Sequence, residues 1–277
     1  MIPTPVTINW FPGGAFLADT AEAFYNTLLL GRADRENYFS TYPTGGYFVA
    51  EPPGAKVLFV CVNSILFSSH RTDGCTDSAN NAGTMQLDWL EKVLKKAQED
   101  KKKVFMVSHI PTGTSVYSTV KKYMDASGKI SDAAVFWKES CQNRFLEICR
   151  QYESVIEIIF SGHTHMDEYR LILDRDGEAY KADIVTPAVS PQFGNNPAFK
   201  VLTLRGEDWK PLDSRSVNCD LALSSPDFST YYVFSEAYFM EASLEESLVD
   251  LFPKMAIDTG DRQQWAHFYY SGHDDAN

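Results

Sequence analysis

The chain has 277 residues, enough to bury a sizeable core as one large domain or two ordinary ones, and a single body is favoured. It carries 25 Lys and Arg against 37 Asp and Glu, a formal charge of −12. That balance excludes a nucleic-acid polymer as partner, because phosphate backbones are held by clustered cations. No N-terminal stretch resembles a signal peptide, and no apolar run approaches the roughly 18 residues that a transmembrane helix needs, so the chain reads as soluble. The five cysteines form no C-x-x-C pair and suggest neither a zinc knuckle nor a disulfide framework. With no Asn-x-Ser/Thr sequon, they lean toward a reducing compartment.

Residues 1–20 are rich in Pro and Gly and read as loop. A helix is expected from Thr20 to Leu30, stopped by Gly31. Next comes a strand around Pro43–Ala50, turned at Pro52-Pro53-Gly54 and paired as a hairpin with Lys56–Asn63. The polar segment from Ser68 to Gly83 is a loop. Thr84 is then a good N-cap for a helix whose Leu87, Leu90, Val93, Leu94 and Ala97 share one face. The basic run Lys101-Lys102-Lys103 sits at its end, where cations complement the helix dipole.

The strand Lys103–Ser108 ends at His109-Ile110-Pro111-Thr112-Gly113. After a polar connection, a second helix is expected from Asp132 to Tyr152, with Cys141 and Cys149 about 12 Å apart along it and so as core thiols rather than a bridge. The apolar run Val155–Phe160 reads as a buried strand, and Ser161-Gly162-His163-Thr164-His165-Met166-Asp167-Glu168 follows it. Imidazoles at i and i+2 on extended chain point the same way, roughly 6–7 Å apart at Cα. The preceding glycine eases the turn. That spacing suits two metal ions about 3.5–4 Å apart, with one histidine serving each. His109 and His163 both sit at carboxyl ends of strands, where open α/β sheets bind ligands.

Tyr169–Leu173 and Ala182–Thr186 read as a further hairpin, with a shaped loop through Pro187, Pro191 and Asn195-Asn196-Pro197 leading to the strand Phe199–Leu204. From Trp209 the pattern becomes aromatic-rich and helical, and its rings are assigned to packing on the main body.

Several pieces, in order, resemble the calcineurin-like metallophosphoesterases and their acid sphingomyelinase-like phosphodiesterase branch. Gln86-Leu87-Asp88-Trp89-Leu90, Ser108–Gly113, Phe160–Glu168, Thr186-Pro187 and Asn196-Pro197-Ala198-Phe199 carry the likeness, with Gly45-Gly46-Tyr47 and Val62-Asn63 also fitting. Ser108 and Thr112 depart from the pattern. The resemblance implies an α/β (α+β) fold: a metallophosphoesterase β-sandwich flanked by helices, lacking its first βα units. Residues 1–205 would form a partial phosphoesterase domain, and residues 206–277 a helical region packed on it. It further implies two divalent metals, usually zinc, held in part by His109, His163 and His165, and a metal-activated water attacking a phospholipid headgroup or nucleotide phosphodiester.

The family's Asp-x-His, bridging Asp and Gly-Asn-His-Asp motifs are missing from the chain. Ile8-Asn9-Trp10 is at most a remnant of the last, and Asp73, Asp77, Asp167 and Glu168 are candidate substitutes. The chain is therefore expected to be either a fragment or a degenerate, inactive member acting as a phosphate-binding or interaction module. A carboxylate within reach of the histidines would separate an active hydrolase from such a module. Uncovered sheet edges would call for an oligomer or another partner. The branch is commonly secreted or lysosomal, whereas this chain shows no signal, so the compartment is left open.

Overall fold

A computed structural model describes residues 14–76 and 81–273, so Asp77 and the Ile8-Asn9-Trp10 stretch lie outside the described residues. Helix α1 (Ala15–Phe24) runs into a π-helical turn, Tyr25–Leu29, that ends at Leu30 in the left-handed region. Helix α2 (Arg35–Gly45) was not expected from the sequence. Asp34 caps it by accepting from the Asn37 amide at 2.8 Å, and Pro43 lies within it. The strand expected from Pro43 is thus only β1 (Phe48–Ala50). These two helices enclose Leu17, Ala21, Tyr38 and Tyr42 in a small core of their own.

The central sheet follows an α/β logic. Strands β2 (Val57–Val62), β3 (Lys103–Ser108) and β4 (Ile156–Ser161) are parallel neighbours. Each is mostly apolar because both of its faces are covered, with Lys103 and Glu157 paired at one end of β3 and β4. β1 pairs antiparallel with β2, the expected hairpin. β5 (Glu168–Leu173) and β6 (Ala179–Val185) form the second hairpin, with β6 lying parallel to β4. The order is β1-β2-β3-β4-β6-β5.

Helix α3 (Ala82–Glu99) covers one face together with α5 (Glu139–Gln151). Their Leu87, Leu90, Leu94, Phe145 and Ile148 pack on Val60, Val104, Met106 and Ile156. Asn81, not Thr84, caps α3, its side chain accepting from the Thr84 amide at 3.0 Å. Thr84 turns its hydroxyl to the Thr76 carbonyl at 2.6 Å instead. α5 starts seven residues later than the sequence suggested, and the connection before it contains α4 (Val116–Tyr123). Residues around Val135 and Trp137 are extended and bridge to Thr114 and Ser68. Cys141 is not a free core thiol: it is disulfide-bonded to Cys75, while Cys149 is buried and free. The pairing escaped a reading of helix spacing because Cys75 lies 66 residues away in a polar loop.

The opposite face is covered by a second sheet and the C-terminal helices. β7 (Ala198–Leu204), β8 (Pro211–Cys219) and β9 (Phe228–Val233) form an antiparallel meander. Residues 211–219 and 228–233 are therefore strand, not helix; β8 is mostly short polar residues and is buried along its second half, so it shows no clear period of either kind. Helices α6 (Phe234–Tyr238), α7 (Leu244–Ile257) and α8 (Thr259–Tyr269) follow. Phe234, Tyr238, Leu244, Leu248 and Leu251 meet Val57, Phe105, Ile158 and Ile184 of the main sheet. The result is a mixed α/β body of two packed sheets flanked by helices. β7 and β9 are both unpaired edges of the small sheet, and Phe199, Val201 and Phe228 are exposed on it. Among the described residues no helix is long and apolar enough to cross a membrane.

Candidate functional site

The register of β3 and β4 builds the site. Val107 pairs with Phe160, so the segments that leave these strands in the same direction emerge side by side, one carrying His109 and the other His163. His163 Nδ1 lies 3.4 Å from His109 Nε2, with the ring planes at 85°. The Gly162 amide donates to the His109 carbonyl at 2.9 Å, tying one loop to the other. From the next strand end, Thr186 donates its amide to the Ser161 carbonyl at 2.8 Å, and Ala188 its amide to the His165 carbonyl at 3.2 Å.

The His-x-His stretch is not extended. His163 has φ 73° and His165 φ 69°, so each sits in the left-handed region, where a non-glycine residue costs of order 1 kcal/mol or more. Gly162 has ordinary φ, and a Cβ there would meet its neighbours no closer than 3.8 Å. The tight backbone is thus stored in the histidines themselves, in left-handed conformation at both positions. His163 packs against Phe136, ring centroids 5.4 Å apart, and His165 against Phe193 at 4.8 Å. The Nδ1 atom of His165 is buried and has no hydrogen-bond partner.

Desolvation among these packed rings pushes the His109 and His163 pKa values below the ordinary imidazole value. Mutual repulsion within the cluster adds to this: His165 acts on His109, and His109, His165, His70 and Arg170 act on His163. Neutral imidazoles with exposed ring nitrogens are competent ligands for a divalent cation.

The carboxylates are committed elsewhere. Asp167 pairs with Lys200, and neither side chain has any solvent exposure. It also accepts from the Tyr232 hydroxyl at 2.9 Å and from Ser216. Burial opposes the Lys200 ammonium, but Asp167 and Tyr169 outweigh it and its pKa is raised. Glu168 binds Arg170 at 2.7 Å, and Asp73 binds Arg71 at 2.6 Å. Asp167 and Glu168 are therefore buried structural partners rather than solvated loop residues. Among the described residues, no group of three or more His, Cys, Asp or Glu side chains is arranged to hold a metal ion. The donor set fits part of a metal centre, the imidazole part, and does not fit two neutralised divalent ions.

Arg170 was not singled out by sequence reasoning. Its guanidinium donates to the Thr112 carbonyl at 3.0 Å and the Thr114 carbonyl at 3.1 Å, and lies 5.2 Å from the Phe136 ring centroid. It thus grips the loop beyond His109 and the ring that supports His163. The available signal was Glu168 and Arg170 at i and i+2 on a strand, hence on one face.

No family model matches the chain. It is 27% identical to a cyclic GMP-AMP phosphodiesterase of Mus musculus over 257 residues, covering 86% of this chain and 53% of that protein. It is 24% identical to the human acid sphingomyelinase-like phosphodiesterase 3b over 227 residues, covering 77% of this chain and 46% of the relative. The chain therefore spans about half the length of the curated relatives it matches. Among solved structures, a dimetal phosphatase from Danio rerio aligns over 71% of this chain and 63% of its own, at 14% identity and a TM-score of 0.37.

Proposed function

Because the chain is a homologue of the acid sphingomyelinase-like phosphodiesterases, we propose that it carries the histidine part of a phosphodiester hydrolase site. In this reading His109 and His163 share one divalent cation, and His165 offers its unpartnered nitrogen to a second. The observation that supports it is the approach of the His109 and His163 nitrogens to 3.4 Å from two adjacent parallel strands. A bound zinc ion would supply Lewis acidity toward a phosphoryl oxygen and lower the pKa of its water. The chain's own groups hold the neutral imidazoles in place: Arg170 fixes the His109 loop, and the Asp167–Lys200 pair anchors the segment after His165. The ligand class is a small phosphodiester or a phospholipid headgroup.

Full hydrolytic activity in this reading needs carboxylates beyond those described, since Asp73, Asp167 and Glu168 are all in ion pairs. That commitment favours a second reading for the chain by itself, a phosphate-binding or interaction module without turnover. A partner covering the β7 and β9 edges belongs to either version. The test is zinc stoichiometry by native mass spectrometry, alongside turnover of bis(p-nitrophenyl) phosphate. About one zinc per chain, lost in His163→Ala, is expected. Zinc binding that His163→Ala leaves unchanged would remove the histidines from the site. Zinc-dependent turnover by the chain alone would rule out the module reading.

A further inference from the structure

Beside His163 the surface opens into a cavity of about 440 Å³, within the range of small-molecule sites. Its walls come from the segment around Ser68 and His70, from helix α4 with Ser118, Lys122 and Tyr123, and from the extended residues before α5. These walls are fixed to each other. The Ser69 amide donates to the Phe136 carbonyl at 2.8 Å, and the Ser69 hydroxyl to the Val135 carbonyl at 2.9 Å. The Ser115 amide donates to the Ala134 carbonyl at 2.8 Å, and the Thr119 hydroxyl accepts from the Ala134 amide at 3.0 Å.

The lining mixes polar and apolar residues and contains no carboxylate, in a chain whose acidic residues outnumber its basic ones by 37 to 25. The acidic residues nearest in sequence, Asp125 and Asp132, are occupied by backbone amides of their own turns. Lys122 is the one Lys or Arg in the lining, and it is in none of the ion pairs found among the described residues. His70 adds a second nitrogen heterocycle facing His163. A quaternary ammonium group, by contrast, is recognised by aromatic cages and anions, and here only Tyr123 and Phe136 are aromatic apart from the histidines.

We propose that this cavity is an anion subsite, in which Lys122, with His70 and the hydroxyls of Ser68, Ser115 and Ser118, binds a second negatively charged group of a ligand whose phosphodiester lies at the histidines. The inference rests on the phosphodiester reading above and refines it: the preferred ligand carries two anionic groups rather than one anion and a quaternary ammonium. A full positive charge opposite a second phosphate adds an attractive contact, and the hydroxyls complete its hydrogen bonding. For a choline-type cation the same wall sets the repulsion of Lys122 against only two aromatic rings and no carboxylate.

The test is calorimetric titration of the full chain in EDTA with methylenebisphosphonate, phosphocholine and inorganic phosphate. Methylenebisphosphonate is expected to bind about tenfold tighter than phosphocholine. Lys122→Gln should weaken both methylenebisphosphonate and inorganic phosphate about fivefold, while Lys121→Gln, on the same helix but outside the cavity, should weaken neither. Equal affinities for the two organic probes, or equal effects of the two lysine substitutions, would overturn the proposal. A loss of zinc binding at the histidines would not change the Lys122→Gln result in EDTA. Failure of the site and failure of the subsite are therefore read separately.

Discussion

Lys200 and Asp167 form an ion pair with no solvent exposure on either side chain, joining strand β7 to the segment two residues beyond His165. The Tyr169 hydroxyl lies 2.8 Å from the ammonium and Tyr232 donates to the carboxylate at 2.9 Å, so the pair is hydrogen-bonded on several sides. Removing one member strands the other charge in a low-dielectric interior, a cost of roughly 3–5 kcal/mol. Lys200→Met is expected to lower stability by about that amount in urea unfolding. The double substitution Lys200→Met, Asp167→Asn should recover much of the loss. A single variant as stable as the wild type would show that the pair does not lock the two sheets together.

Asp183 lies between strands β4 and β5 in the main sheet, almost wholly buried. Burial pushes its pKa up to about 7, against the opposing effect of the Ser161 hydroxyl 2.8 Å away. An unfolded aspartate titrates near 3.8, so between those values the folded state binds the proton and the unfolded state does not. This stabilisation is fully present below the unfolded value and is lost as pH rises toward 7. Asp183→Asn is expected to be more stable than the wild type at pH 8, by roughly 2–4 kcal/mol. The gap should narrow toward pH 4.5. A constant difference across that window in thermal unfolding would contradict the buried-carboxyl assignment.

Arg170 connects the loop after His109 to the strand that follows the His-x-His segment. Arg170→Ala leaves two carbonyls and Glu168 without their partner, and about 1–3 kcal/mol of stability should be lost. Under the proposed function the zinc affinity should fall about tenfold, because outer contacts orient the ligating rings. Arg170→Lys retains the charge but not the planar fork, and is expected to restore stability more than affinity. Equal recovery of both would assign Arg170 to packing alone.

Much of the scaffold was legible without coordinates. The apolar runs of β2, β3 and β4, the helical face of α3 and the hairpins β1–β2 and β5–β6 all follow from local period and turn chemistry. Helix α2 was missed because it is polar, lacks apolar periodicity and contains Pro43, and α4 because it is only eight residues long; their caps, Asp34 and Ser115, were the readable sign. The strands β8 and β9 escape a sequence reading for different reasons: β8 is mostly short polar residues without clear alternation, and the rings of β9 merge with the aromatic run that follows. The Cys75–Cys141 bond joins a loop to a helix 66 residues later, a distance across which spacing carries no information.

By itself the sequence determined that His109 and His163 stand at strand ends and that several of its pieces resemble the acid sphingomyelinase-like phosphodiesterases. Only the tertiary structure decided what those residues have for neighbours. Parallel register brought two imidazoles to 3.4 Å, and left-handed backbone at His163 and His165, not an extended chain, aimed them. It also took Asp167 and Glu168 out of the candidate ligand set. A buried carboxylate must be paired with a cation or protonated, and Lys200 and Arg170 pair with these two from strands β7 and β5.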